Sequence, residues 1–408
     1  MSRFLLALVV SVHLREDLNP VQLVRAVHAF LNFLYLAQLH QHSSHTLHRL
    51  KNTLKTFHDN KSIFVDLNIQ KNFKIPKLHS LHHYTSSIKL FGTTDNYNTQ
   101  HTEHLHSTLS KPAYRASNKH DKVPQMTSLL KRHEKVYQQD MVIRQLQQDG
   151  NEGLCYGRQP IPTLLPWRQI RITQFPSVWQ VPIEHLISLY GATDFRRAFA
   201  RFVIQQCNPK IRPAQIERKV PNFHLPFTTT SVYHHIKFRE VDQELESSIA
   251  DSIYIQPPRQ AKNGQIIPCH FDTALLDSRK ENQTGIQALC VAQIRVVFRI
   301  SCEAAHHLFP HTTNVPEHLA YVEWFTPFWA VPDANYGLYK ISRSMMGKSR
   351  VSSIVLIRNI VQSIHLIPLL GENIPREWHS STILDNCSSF LLNSFSDIRT
   401  YCLFNKIH

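Results

Sequence analysis

Apolar residues recur at helical spacing through the first third of the chain. Asn19 and Pro20 give an N-cap followed by a proline suited to a first helical turn. Beyond them Val21, Val24, Val27, Phe30, Leu31 and Leu34 mark one face of a helix. Ser43 or Ser44 caps a second helix, with Leu47, Leu50, Leu54 and Phe57 along its apolar side. A third is expected after Pro76, carrying Leu78, Leu81, Ile88 and Leu90 and ending at Gly92. Thr94 or Asp95 opens the next, which holds Glu103, Leu105 and Leu109. Pro124 starts a fifth helix, which runs to about Leu146. The pattern predicts an all-helical segment over residues 1–149.

The texture then changes twice. Residues 150–166 are rich in Gly and Pro and mark a boundary. Beyond them RQIRITQFPSV alternates like a strand, and VPIEHLISLYGATDFRRAFARFVIQQC reads as two helices joined at Gly191. The acidic stretch EVDQELESSIAD reads as a solvated face, so residues 150–262 form a mixed α/β region. NGQIIP at Asn263 is an Asn-Gly hairpin signal. LCVAQIRVVFRI, HLAYVEWFTPF and SSIVLIRNIVQSIHLIPLL follow, separated by turn residues, and predict a small antiparallel β-barrel over residues 263–408. The expected fold class is α+β.

Composition adds constraints on partners and compartment. Of 408 residues, 42% are apolar and 18% charged, the balance of a folded protein. A formal charge of +15, with 27 histidines in addition, favours a polyanionic partner such as nucleic acid. Seven scattered cysteines without a C-x-x-C pair argue against a disulfide framework and against a cysteine zinc site. FLLALVV after Arg3 imitates a signal peptide, but no small-x-small cleavage site follows cleanly, and a buried element is the favoured reading. The expectation is an intracellular protein, nuclear or cytoplasmic and not secreted, with no segment long enough to span a membrane.

Candidate chemistry centres on GTTDNYNTQHTEHLH, residues 92–106, where the single acid Glu103 sits among His101, His104 and His106. Phosphoryl transfer through bound metal needs at least two converging acids, and one Glu at a helix start is otherwise a favourable dipole contact. His79, His82 and His83 form a second cluster, with no cysteine near either to complete a zinc set. Lys111, Arg115, Lys119, Lys122, Lys131, Arg132 and Lys135 follow Glu103, with Tyr114 and Tyr137 among them. Such a run lines a DNA backbone or forms a solvated helical face. MMGKSR is not a phosphate loop, because Ser342 stands where its first glycine belongs. The aromatic run Tyr321, Trp324, Phe325, Phe328 and Trp329 is either core or the recognition surface of a protein- or chromatin-binding module.

FLNFLYLAQLHQHSSHTL, GTTDNYNTQHTEHLH, KPAYRASNKHDKVPQMTSLLKRHEKV, YGATDFRRAFARFV, HFDTALL and HLAYVEWFTPF together resemble the distal part of Plavaka-type DDE transposases of basidiomycete fungi, relatives of the CACTA and KDZ elements. The resemblance runs from about Pro20 to the C-terminus. It implies an RNase H-like core in which three acids hold two Mg²⁺ or Mn²⁺ ions for strand cleavage and transfer. It implies that the helical segment is the end of that core and that Glu103, in TEHLH, is the third acid. The family's neighbouring Glu, three residues earlier, is Gln100 here. Its first two aspartates lie in upstream motifs that Asp17, Asp59, Asp66 and Asp95 do not match. The expectation is therefore a truncated, transposase-derived protein that is catalytically inactive alone and needs no cofactor. It is expected to bind DNA through the seven basic residues above, and a full-length transposase is a further expected partner.

Overall fold

The computed structural model describes residues 4–12, 14, 15, 17–97, 99, 103, 105–149, 161, 162, 168–240, 251–261, 263–278, 285–309, 317–371 and 375–406. The fold is α+β, and the chain divides into two compact units.

One unit takes residues 32–54 and 72–159 and is helical. Its caps follow from local chemistry. Ser43 Oγ accepts from the Thr46 amide at 3.2 Å while Thr46 Oγ1 accepts from the Ser43 amide at 2.8 Å, a reciprocal cap that starts Ser44–Asn60. The helix expected after Pro76 is broken into Pro76–Ser80, a 3₁₀ turn at Leu81–His83 and Tyr84–Phe91. Gly92 ends it at φ +86°, a conformation that glycine takes without penalty. The fifth expected helix is Lys122–Asp149, exposed over most of its described length because its apolar residues form no helical stripe.

The other unit takes residues 1–31, 55–71 and 160–408. Its centre is a seven-stranded antiparallel sheet built on Leu289–Arg299, which is buried from Val291 to Phe298. His318–Trp324 and Thr273–Asp277 flank that strand, and Thr229–Tyr233 pairs with its far end. Helix Phe195–Cys207 lays Phe195 and Phe199 against Phe298, and Phe195 also meets Tyr321. Gly191, at φ +74°, makes the expected joint ahead of that helix.

A second, five-stranded antiparallel sheet runs in the order Ile161–Pro162, Arg168–Arg171, His235–Glu240, Asp251–Gln256, His270–Phe271. One face buries Ile170, Ile236, Phe238, Ile253, Ile255 and Phe271 in the core shared with the first sheet. Only Asp272 separates His270–Phe271 from Thr273–Asp277, so the chain steps there from one sheet into the other. The Asp272 amide donates to the Tyr254 carbonyl at 3.0 Å in the five-stranded sheet. Its carbonyl accepts from the Ile294 amide at 3.0 Å in the seven-stranded one.

Two expectations are corrected. The predicted break after residue 262 falls inside this unit, since the seven-stranded sheet takes Val178–Pro182 and Thr229–Tyr233 from before it and its other strands from after it. The antiparallel strands expected beyond residue 263 are present, but no sheet among the described residues closes into a barrel. The edge strands Ser352–Leu356 and Ile360–Ser363 end the sheet without pairing to each other. The predicted boundary at 150–166 lies outside the described residues except for 161 and 162. No helix among the described residues is long and apolar enough to cross a membrane.

Candidate nucleic-acid interface

In HHIKF and SIYIQ the side chains of Ile236, Phe238, Ile253 and Ile255 enter the core, so their neighbours along each strand must point outward. Register then assembles those neighbours. His235 pairs with Tyr254, Gln256 with His270, and Lys237 lies opposite Arg171. His235 and Tyr254 stack with ring centroids 6.4 Å apart and planes 27° apart. Tyr254 and His270 stack at 5.5 Å and 18°. Three planar rings from three adjacent strands thus form a ladder on the open side of the sheet, with Tyr254 42% exposed. Arg171 and Lys237, both exposed, stand at its flank. Burial, then the charge of Lys237, lowers the His235 pKa, so that this rung is a neutral aromatic ring at pH 7.

His270 and Gln256 also line a cleft of about 570 Å³, with Asp272, Thr273 and His365 among its polar walls. Asp272 Oδ2 accepts from the Tyr254 amide at 2.7 Å and Oδ1 lies 2.8 Å from His270 Nε2. Burial raises the Asp272 pKa despite those contacts and lowers that of His365. Cys269 lines the same cleft, but burial, then the Asp385 charge, pushes its pKa up, and the group stays a thiol.

The central strands of the seven-stranded sheet also carry a buried ion network. Arg295 reaches Glu323 Oε2 through Nε and Nη2, both at 3.0 Å, and bonds Asp385 as well. Arg350 Nη1 bridges the same two acids at 2.8 and 2.6 Å. Arg343 bonds the Leu384 carbonyl at 2.7 Å and Gln293, and its guanidinium stands 4.4 Å from the Phe325 ring. Burial, then Arg350, lowers the Arg343 pKa to about 9. Burial would raise Asp385, but Arg295 and Arg350 outweigh it and hold the carboxyl below its ordinary range. A register shift between Ile294 and Val296 places Arg295 in a bulge of the central strand, which aims its side chain into this cluster.

The predicted site residues lie elsewhere. Glu103 is helical and exposed, its amide donating to the Thr99 carbonyl at 2.9 Å and Oε1 accepting from Thr99 Oγ1 at 3.3 Å. His101, His104 and Gln100 lie outside the described residues, and His106 is exposed. Among the described residues no three His, Cys, Asp or Glu side chains meet where a metal ion would need them. Among the described residues nothing completes a two-metal set around Glu103. Lys111, Arg115, Lys119, Lys122, Lys131, Arg132 and Lys135 are all exposed, Lys122 lying 5.2 Å over the Tyr114 ring. His79 contacts both His82 and His83 through its ring. MMGKSR forms a hairpin, with Gly347 at φ +64°. Of the acidic stretch, residues 241–250 lie outside the described residues. Tyr321 and Phe325 are buried, Trp324 and Phe328 pack against the core, and Trp329 is exposed.

The ladder escaped the sequence reading although its strands alternate visibly. Alternation shows which residues share a face, but cross-strand register is needed to make His235, Tyr254 and His270 neighbours.

Residues 158–344 match the family model of a domain of unknown function, DUF6830. The span contains the ladder, Arg171, Lys237, Asp272, Arg295, Glu323 and Arg343. Neither a curated protein nor a solved structure matches the chain.

Proposed function

We propose that this chain is a nucleic-acid-binding protein of Plavaka-type transposase descent, whose open sheet face holds unpaired bases. The observation that supports the reading is the stacked array of His235, Tyr254 and His270 beside Arg171 and Lys237. Planar side chains on a sheet offer bases a π-face whatever their identity, and adjacent cations take the phosphates. The seven exposed basic residues of the helical unit extend the same electrostatic preference to a DNA backbone, and the +15 charge agrees with it. Descent rests on the sequence resemblance; the binding reading rests on the ladder.

The test is fluorescence anisotropy with a labelled oligothymidylate and a duplex of equal length. Tyr254→Ala is expected to weaken single-strand binding roughly 5- to 150-fold, the range of about 1–3 kcal/mol per stacked base. Affinity is expected to fall with salt at a log-log slope of about −0.7 per phosphate contacted. Equal affinity of Tyr254→Ala and the parent chain would remove the reading.

A further inference from the structure

The ladder does not stop at His270. That ring is also a wall of the 570 Å³ cleft, and Gln256, its register partner, is another. The volume lies in the range of small-molecule pockets, about 300–1,000 Å³. Its walls divide by chemistry. Ile267, Phe271, Leu366 and Ile383 supply apolar surface, whereas Gln256, Asp272 and His365 supply hydrogen-bonding groups.

These groups are not equally committed. Asp272 is held by Tyr254 and His270, and His365 Nδ1 lies 3.2 Å from the Asn393 amide nitrogen. The Gln256 amide makes no side-chain hydrogen bond among the described residues, although the residue is half-buried. A side-chain amide offers a donor and an acceptor side by side, the pairing that reads a base edge.

We propose that this cleft is a pocket for one nucleobase of a strand lying on the ladder, stacked on His270 with its edge read by Gln256. The assignment rests on the nucleic-acid reading above and narrows it: one nucleotide of the bound strand is held differently from the others. Asp272 and His365 line the remaining polar wall, and the apolar residues exclude water from the base plane.

The experiment uses the full chain and a set of fluorescein-labelled hexathymidylates, each with one abasic nucleotide at a different position. The parent chain is expected to lose about tenfold in affinity at one position near a strand end, and less elsewhere. Gln256→Leu is expected to flatten that profile. Ser380→Trp, which adds bulk at an exposed position of the cleft wall, is expected to flatten it in the same way. Thermal unfolding by circular dichroism confirms that both variants fold. A flat profile in the parent chain, or an unchanged profile in both variants, overturns the pocket and leaves the ladder standing. Insensitivity of binding to Tyr254→Ala overturns the ladder itself. A titration with free thymidine monophosphate separates the two sources of the base: saturation as tight as that of the hexamer overturns a strand-bound pocket in favour of a mononucleotide site.

Discussion

Asp272 grips Tyr254 twice through the same backbone. Its amide donates to the Tyr254 carbonyl at 3.0 Å, and its Oδ2 accepts from the Tyr254 amide at 2.7 Å. The central rung of the ladder is thus held by the residue at which the chain passes between the two sheets.

Asp272→Ala is expected to loosen that rung, leaving the Tyr254 amide without its carboxylate partner. A lost bond to a charged group costs about 1.5–3 kcal/mol, and urea unfolding measures it. The pH dependence has a definite sign. Burial raises the folded pKa of Asp272 above its unfolded value, so its ionisation opposes folding. Its contribution is most favourable below the unfolded pKa and declines as pH rises to the folded one. Asp272→Asn is expected to remove that decline. An unchanged pH–stability profile in the Asn variant would contradict the assignment.

The Arg295–Glu323–Asp385 network carries the opposite sign. Arginines depress Asp385, so its stabilisation is present above the unfolded carboxyl pKa and is lost as pH falls through the lower folded value. Glu323, 2% exposed, receives Arg295 and Arg350. Glu323→Leu is expected to cost about 3–5 kcal/mol, because it strands buried guanidinium charge. A chemical denaturation midpoint within error of the parent would show that the network is adequately satisfied without it.

Gly337 lies at φ +65°, and a Cβ there would stand 2.8 Å from His28 Cε1 and 2.9 Å from Nε2. Gly337→Ala is expected to destabilise the protein by more than about 1 kcal/mol, from both the strained backbone and the clash. His28 is half-buried, and desolvation lowers its pKa to about 4. A histidine depressed in the fold stabilises fully above its unfolded pKa and loses that contribution as pH falls from about 6.5 to about 4. His28→Gln is expected to flatten the unfolding temperature across that window. Retention of the slope would place its origin in another group.

Glu103, exposed on its helix turn, is expected to support no metal-dependent strand cleavage. Supercoiled plasmid incubated with the full chain and Mg²⁺ or Mn²⁺ should remain supercoiled, with Glu103→Gln indistinguishable. Nicking that Glu103→Gln abolishes would restore the residue as a working ligand.

Much of the helical unit was legible because its signals are local: Ser43 caps where it should, and Gly92 ends its helix where only a positive φ continues the chain. The sheets were legible strand by strand but not as an assembly. Nothing near Val178 or Thr230 announces that these residues finish a sheet whose centre lies beyond residue 289. The site was hidden for the same reason. His235, Tyr254 and His270 span 36 positions of sequence and meet only through register, whereas Glu103 stood out through its motif and is exposed on a helix turn.

The bulge at Arg295 sets the phase of the longest strand. Up to Ile294 the alternation of faces keeps one parity, and from Val296 onward it keeps the other, yet both stretches bury apolar residues in one core. Arg295 is the spare step between them. Removing that residue from the chain would leave Ile294 and Val296 as consecutive partners of Val322 and Tyr321, so the strand would pair regularly with the same faces buried, while Glu323 and Asp385 would lose the guanidinium that the bulge brings to them.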